Sequence, residues 1–244
     1  MAKYIKYGIS ATIMFGIVTY GSFKYHQIRS FEEEYYKNSN RKRQFLFNIH
    51  QNLAILYDKS VDSYEDLSKI NQYRKILLSY AQGFVLETAI GTSRNLKFYP
   101  PGVKVLGIDW SSNMLEAAMQ KSVNHISYSY KIDDTENLTF KDNIFDTVVD
   151  TFGLEYYVNP DKALKEMKRV CKKDGLILIL ASGQSLYQGL NFFLNYKTPY
   201  TVCNYGFFPN RNWEDFIKEE DFEILKKERK INGTVYMYVL RNKK

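Results

Sequence analysis

The chain has 244 residues, 45% of them hydrophobic and 16% aromatic, which suffices for one sizeable buried core plus an extension. Its net charge of +7 comes from 34 basic residues dispersed among 27 acidic ones, with short basic clusters at 41–43, 226–230 and 241–244 and no nucleic-acid-binding module. That pattern argues against nucleic acid as a partner and fits anionic lipid headgroups near Lys24, Arg29 and the 41–43 cluster. Two cysteines, Cys171 and Cys203, are too few and too far apart for a disulfide framework or a thiolate metal site, so no metal chemistry is implied.

In chain order, the first element is YGISATIMFGIVTYGSF at 7–23, 17 residues without a charge, bounded by Lys3 and Lys6 before it and Lys24 after it. As a helix it is about 26 Å long, slightly short of a ~30 Å hydrocarbon core, with lysines and tyrosines able to snorkel at its ends. No A-x-A-like cleavage site follows, so the segment reads as a single membrane span rather than a secretory signal. Gly8, Thr12 and Gly16 recur every four residues and give the span a small-residue face for a partner helix. A charged stretch, KYHQIRSFEEEYYKNSNRKR, continues the chain at 24–43.

From Leu67 onward helices and strands alternate, which predicts one α/β unit. Strands are expected at 84–88, 104–109, 126–132, 147–152 and 176–182, with an amphipathic helix between the last two. Two more strands, 222–231 and 234–241, are joined by Asn232-Gly233, a strong hairpin signal.

The stretch GFVLETAIGTSRNLKFYPPGVKVLGID, residues 83–109, orders a strand, a glycine turn, a helix start capped by Thr92 or Ser93, a second strand and a terminal acid. Asp109 falls 22 positions after Glu87, about the offset at which a carboxylate meets the ribose hydroxyls of a cofactor lying across the strand ends. A dinucleotide site would show G-x-G-x-x-G so that the backbone can approach a pyrophosphate; this turn reads A-I-G-T-S, with Gly91 alone. An adenosine cofactor without phosphates, such as S-adenosylmethionine, suits a turn with one central glycine.

The segment KIDDTENLTFKDNIFDTVV, 131–149, resembles the "D-A-E-N-L-P-F-x-D-x-x-F-D" stretch of class I S-adenosylmethionine-dependent methyltransferases. The resemblance narrows through LYD, INQYRKILLSYAQGFVLETAIGTSRN, KFYP, TFGL, DKALKEMKRVCKKDG and FFPNRNWEDFI. These look like the small methyltransferase-like proteins of the mitochondrial inner membrane, over a region from about Leu53 to the end. The resemblance implies a Rossmann-like methyltransferase sheet with an antiparallel terminal hairpin, preceded by one transmembrane helix. Residues 1–30 then form an anchor and the start of a linker, 31–80 a helical linker and N-terminal helices, and 81–244 the methyltransferase-like domain. It implies S-adenosylmethionine as cofactor, with Glu87, Ala89 and Gly91 at the methionine end, Asp109 on the ribose and Trp110 packed on adenine. Asp134, followed by Thr135, reads the adenine amino group, and Thr151 at the fourth strand end completes the set.

Departures from the family pattern are Ser93 in place of a glycine, Ala181 and Ser182 in place of a glutamate and histidine, and Pro209 in the late aromatic pair. A side chain at Ser93 is expected to stand where the methionine moiety passes, at a cost of ~1 kcal/mol. His26, His50 and His125 are isolated and read as surface or interface residues, and no catalytic base is assigned, because a sulfonium methyl needs an aligned nucleophile more than a strong base. Two functional readings follow. One is a membrane-anchored, single-pass methyltransferase of the mitochondrial inner membrane; the other is an inactive methyltransferase-fold subunit of an inner-membrane complex, docked through the Gly8, Thr12, Gly16 face.

Overall fold

The computed structural model of the chain describes residues 39–54 and 56–243. The uncharged stretch at 7–23, with Gly8, Thr12 and Gly16, lies outside the described residues. Among those described, no helix is long and apolar enough to cross a membrane. One compact unit spans Gln44–Lys244. Within it, Leu77 and Leu78 from the helical segment before residue 80 pack with the strand residues Val85 and Val149.

Three helices come first, α1 (Ser39–Leu53), α2 (Tyr57–Leu67) and α3 (Ile70–Leu78). Seven strands among the described residues then build a single sheet in the order β3-β2-β1-β4-β5-β7-β6. They are β1 (Phe84–Thr88), β2 (Lys104–Asp109), β3 (Ser127–Ile132), β4 (Phe145–Thr151), β5 (Cys171–Ser182), β6 (Phe222–Lys230) and β7 (Val235–Asn242). The first five are parallel neighbours, while β7 inserts antiparallel between β5 and β6. This is the mixed sheet with an antiparallel terminal hairpin that the sequence predicts. The hairpin loop is four residues long, since Lys230 pairs with Val235, and Ile231, Asn232 and Gly233 all take positive φ.

Period-two alternation sends the central strands to both faces. Leu86, Val148, Ile177, Ile179 and Tyr238 pack on one side with the apolar stripe of α5 (Pro160–Val170), namely Ala163, Leu164, Met167 and Val170. Val85, Val149, Leu178, Leu180 and Met237 pack on the other with Leu77 and Leu78 of α3. Helix α5 starts cleanly because the Asn159 side chain accepts from the Lys162 N–H and Pro160 occupies the first turn.

One element differs from expectation. After Gly91 the chain forms turns and a short 3-10 segment (Leu96–Phe98) instead of a capped α-helix. The expected capping hydroxyls are engaged elsewhere: Thr92 Oγ1 donates to Asp58 at 2.6 Å and Ser93 Oγ to the Tyr130 hydroxyl at 2.9 Å. Pro100 and Pro101 close the segment before a helix can extend. Helix α4 (Ser112–Met119), capped by Ser111, follows β2, and α6 (Gln188–Tyr205) follows β5.

Candidate functional site

Pairing of β1 with β2 brings the turn after β1 against the carboxyl end of β2. Gly91 N–H donates to Asp109 Oδ2 and Ser111 N–H to Asp109 Oδ1, both at 2.9 Å. Burial pushes the Asp109 carboxyl up to about 6, against the lowering effect of these backbone donors. The turn is held in a conformation that disfavours side chains: Ala89, Gly91 and Ser93 take φ of 45°, 54° and 62°. A Cβ built on Gly91 would point into open space, with only the Ala89 carbonyl oxygen at 4.0 Å, so this glycine leaves room in the cavity floor.

Two adjoining cavities open here, sharing Tyr57, Ala89, Gly91 and Phe152 as walls. The larger, about 680 Å³, takes Asp109, Trp110, Asp134 and Thr135 from the set expected from the sequence. The smaller, about 300 Å³, takes Glu87 and Thr151. All eight expected residues therefore line one or the other of two adjoining cavities at the carboxyl ends of the strands.

In the smaller cavity Glu87 is buried, accepting from Asn95 Nδ2 and from the Tyr99 hydroxyl, both at 2.7 Å. Burial raises its carboxyl to about 7, opposed by those two donors. Arg74 of α3 donates to Thr151 Oγ1 at 2.6 Å, to Asn95 Oδ1 at 2.9 Å and to Glu65 at 2.7 Å. Its Nε–H is buried without a hydrogen-bond partner among the described residues. Arg94 holds the other oxygen of Glu65 at 2.8 Å, so the carboxylate of Glu65 is clamped between two guanidinium groups.

In the larger cavity the two acids after β3 divide their work. Asp133 is taken up by Lys131, Thr139 and the Asp134 N–H, which brace the turn and hold its carboxyl below the ordinary range despite partial burial. Asp134 caps the 3-10 turn that follows, accepting from Glu136 N–H at 3.0 Å. The Tyr157 hydroxyl lies 3.1 Å from Thr135 Oγ1 and 2.8 Å from Asp150. Trp110 gives its indole N–H to His50 Nδ1 at 2.9 Å, which leaves the remaining ring proton on Nε2, a buried atom with no partner among the described residues. Burial lowers His50 to about 4, so the ring is neutral.

Two expectations change. His50 is buried in the cavity wall, because α1 packs its ring against Trp110 and Tyr156 at centroid distances of 5.3 and 5.1 Å. Ser93 lines neither cavity, because its hydroxyl is bonded to Tyr130 of β3. The sequence reading also missed Arg74, Asn95 and Tyr57. Arg74 carried a signal, a cation inside the apolar stripe of Ile70, Leu77 and Leu78.

The donor set fits the cofactor that the resemblance implies. A guanidinium with an unspent N–H, an amide and a carboxyl suit the charged groups of an amino acid, Asp109 a diol, and Asp134 an exocyclic amine.

Comparison with known proteins gives four findings. The family model described as "Methyltransferase domain" matches residues 86–179. The mitochondrial methyltransferase OMS1 of Saccharomyces cerevisiae is 27% identical over 80% of this chain and 46% of its own length. The chain thus spans about half the length of that curated relative. The demethylmenaquinone methyltransferase of Staphylococcus carnosus is 31% identical over 67% of this chain and 72% of its own. Among solved structures, a SAM-dependent methyltransferase of Thermotoga maritima shares the fold with a TM-score of 0.62, 19% identity, and coverage of 81% of this chain and 100% of that one.

Proposed function

The chain belongs to the class I S-adenosylmethionine-dependent methyltransferase family, and we propose that it is an active methyltransferase anchored to the mitochondrial inner membrane. Its cofactor is S-adenosylmethionine. The observation that carries the proposal is the placing of Glu87, Asp109 and Asp134 on two adjoining cavities that share Gly91 as a wall, with Arg74 Nε–H unspent beside the smaller.

When bound, the cofactor supplies a methyl group activated on a sulfonium. The residues of the chain have the remaining tasks. Arg74 and Asn95 hold the amino-acid end, Asp109 the ribose and Asp134 the adenine. Tyr57, Phe152 and Tyr156 wall the hollow against water, which strengthens each polar contact inside it. His50 is neutral, with Nδ1 taken by Trp110 and Nε2 buried against Gly206, so its ring walls the hollow and does not act as a base. Rate then comes from alignment of the acceptor.

The acceptor we propose is a lipid-soluble molecule. Support comes from the largely aromatic wall of His50, Leu53, Tyr57, Trp110 and Tyr156, from the likeness to a demethylmenaquinone methyltransferase, and from the uncharged stretch at 7–23. Mitochondrial placement follows the likeness to OMS1. The test is transfer of labelled methyl from S-adenosylmethionine into a mitochondrial lipid extract by the full chain in mild detergent. Label in the lipid fraction is expected, and label absent from it would contradict the proposal.

A second reading, a silent methyltransferase-fold subunit of an inner-membrane complex, draws on the end of β5. Ala181 is fully buried and Ser182 is tied to Glu155 and Trp213, so neither lines the cavities. Stoichiometric migration with a large assembly on a native gel, without methyl transfer, would favour this reading.

A further inference from the structure

We propose that the outward face of α6 lies on the surface of a phospholipid bilayer, as a membrane contact separate from the stretch at 7–23. Of the large hydrophobic side chains exposed among the described residues, a dense group falls on this helix: Phe192 and Tyr196 are 76% and 75% exposed, with Phe193 and Tyr200 beside them. At about 100° per residue, Phe192, Tyr196, Tyr200 and Phe193 fall within a ~100° arc. Thr198 and Val202, the buried residues of α6, fall on the opposite side. The helix is thus seated on the domain by one face and presents an unbroken aromatic stripe on the other. A contiguous patch of this kind marks a contact surface, where isolated exposed apolar residues do not.

The chemistry of the stripe selects lipid. Phe supplies apolar depth, and Tyr has the ring and hydroxyl that suit the boundary between acyl chains and headgroups. The sequence of α6, QGLNFFLNYKTPYTVCNY, contains no carboxylate. Its one cation, Lys197, sits over the Phe193 ring at 4.8 Å on the flank of the stripe, where an anionic headgroup would meet it. The chain before the described residues carries the 17 uncharged residues at 7–23, and only 15 residues separate them from Ser39. Fully extended, those 15 residues reach at most ~50 Å. The inference rests on the anchored reading in this respect, since an anchored domain never leaves the reach of a bilayer.

The far end of α6 ties this surface to the site. Gly206 ends the helix with φ 68°, and a side chain there would collide with His50, which lines the larger cavity. Phe207 packs against Tyr156 at a centroid distance of 5.6 Å. Lipid held by α6 is therefore brought to the wall of the hollow in which a lipid-soluble acceptor would react.

The test uses the full chain mixed with vesicles of phosphatidylcholine and cardiolipin brominated on the acyl chains. Fluorescence is read from Tyr196→Trp and, as a reference, from Tyr64→Trp, an exposed position on α2. Quenching several-fold stronger at Tyr196→Trp than at Tyr64→Trp is expected, and it should fall when Phe192 and Tyr200 are both changed to Ser. Equal quenching at the two sites, in chain that resists carbonate washing, overturns the proposal while leaving the anchor standing. Strong quenching at Tyr196→Trp in chain that carbonate removes sustains the surface and overturns the anchor. Weak quenching accompanied by concentration-dependent cross-linking through α6 assigns the stripe to a second copy and also overturns the proposal.

Discussion

Arg74 on α3 gives a guanidinium N–H to Asn95 Oδ1 at 2.9 Å, and the same Asn95 passes its own N–H to Glu87 at the end of β1. A helix before the sheet thereby fixes the rotamer of the buried acid that lines the smaller cavity. The pair is braced from behind by Glu65, which is shared between Arg74 and Arg94.

Replacing Arg74 by Met should therefore act on stability as well as on the site. Both partners of the Arg74–Glu65 pair are almost fully buried, and removing one member of such a pair costs about 3–5 kcal/mol. Arg74→Lys should recover only part of this, since one ammonium cannot reach Glu65, Asn95 and Thr151 in the geometry of the guanidinium fork. Chemical denaturation of the three proteins, read by far-ultraviolet dichroism, measures the difference.

Asp109 should govern cofactor affinity through its charge. Changing it to Asn leaves one acceptor oxygen for the two backbone donors, Gly91 and Ser111, and removes the carboxylate; charge-assisted hydrogen bonds of roughly 1.5–3 kcal/mol correspond to a ~10–150-fold loss of affinity. Ala is a poorer probe, because it would leave two buried backbone donors unpaired. The same group sets a pH dependence. Its folded value of about 6 lies above the ordinary 3.8, so the free protein loses stability from this group as pH rises from about 4 to about 6. Ribose hydroxyls donate to the ionised form, so affinity should be full above this range and fall as pH drops through 6. Glu87, raised to about 7, extends the decline upward if it meets the cofactor ammonium. Titrations from pH 5.5 to 8 on wild type and Asp109→Asn should show the lower part of the decline only in wild type.

Ser93→Gly should leave cofactor affinity within about twofold, a difference well under 1.4 kcal/mol. The side chain lines neither cavity, and the backbone already sits at φ 62°, where glycine would. Relief of that strain offsets loss of the bond to Tyr130, so the melting temperature should also move little. Parallel binding and melting curves of the two proteins check this.

The sheet was legible because its strands obey local rules. β1 and β2 begin and end where apolar runs begin and end, and the turn-forming Asn232-Gly233 marks the hairpin. The acids at strand ends were legible for the same reason, since Asp109 and Asp134 stand where a β-run stops. What escaped depends on contacts distant in sequence. His50 reads as a surface histidine until α1 packs it on Trp110, 60 positions away. The segment after Gly91 has helix-start chemistry, but Thr92, Ser93 and Asn95 are drawn into bonds with α2, β3 and β1. Helix α6 escaped because Pro199 and its outward aromatics blur the amphipathic period.

The central claim, that the hollow holds S-adenosylmethionine, is tested most directly by isothermal titration of the full chain in mild detergent with that cofactor. The account predicts saturable binding at one site per chain, displaced by S-adenosylhomocysteine and weakened at least tenfold, or about 1.4 kcal/mol, by Asp109→Asn. A folded wild-type chain that takes up no cofactor, or that binds it as tightly with Asn at position 109, would contradict it.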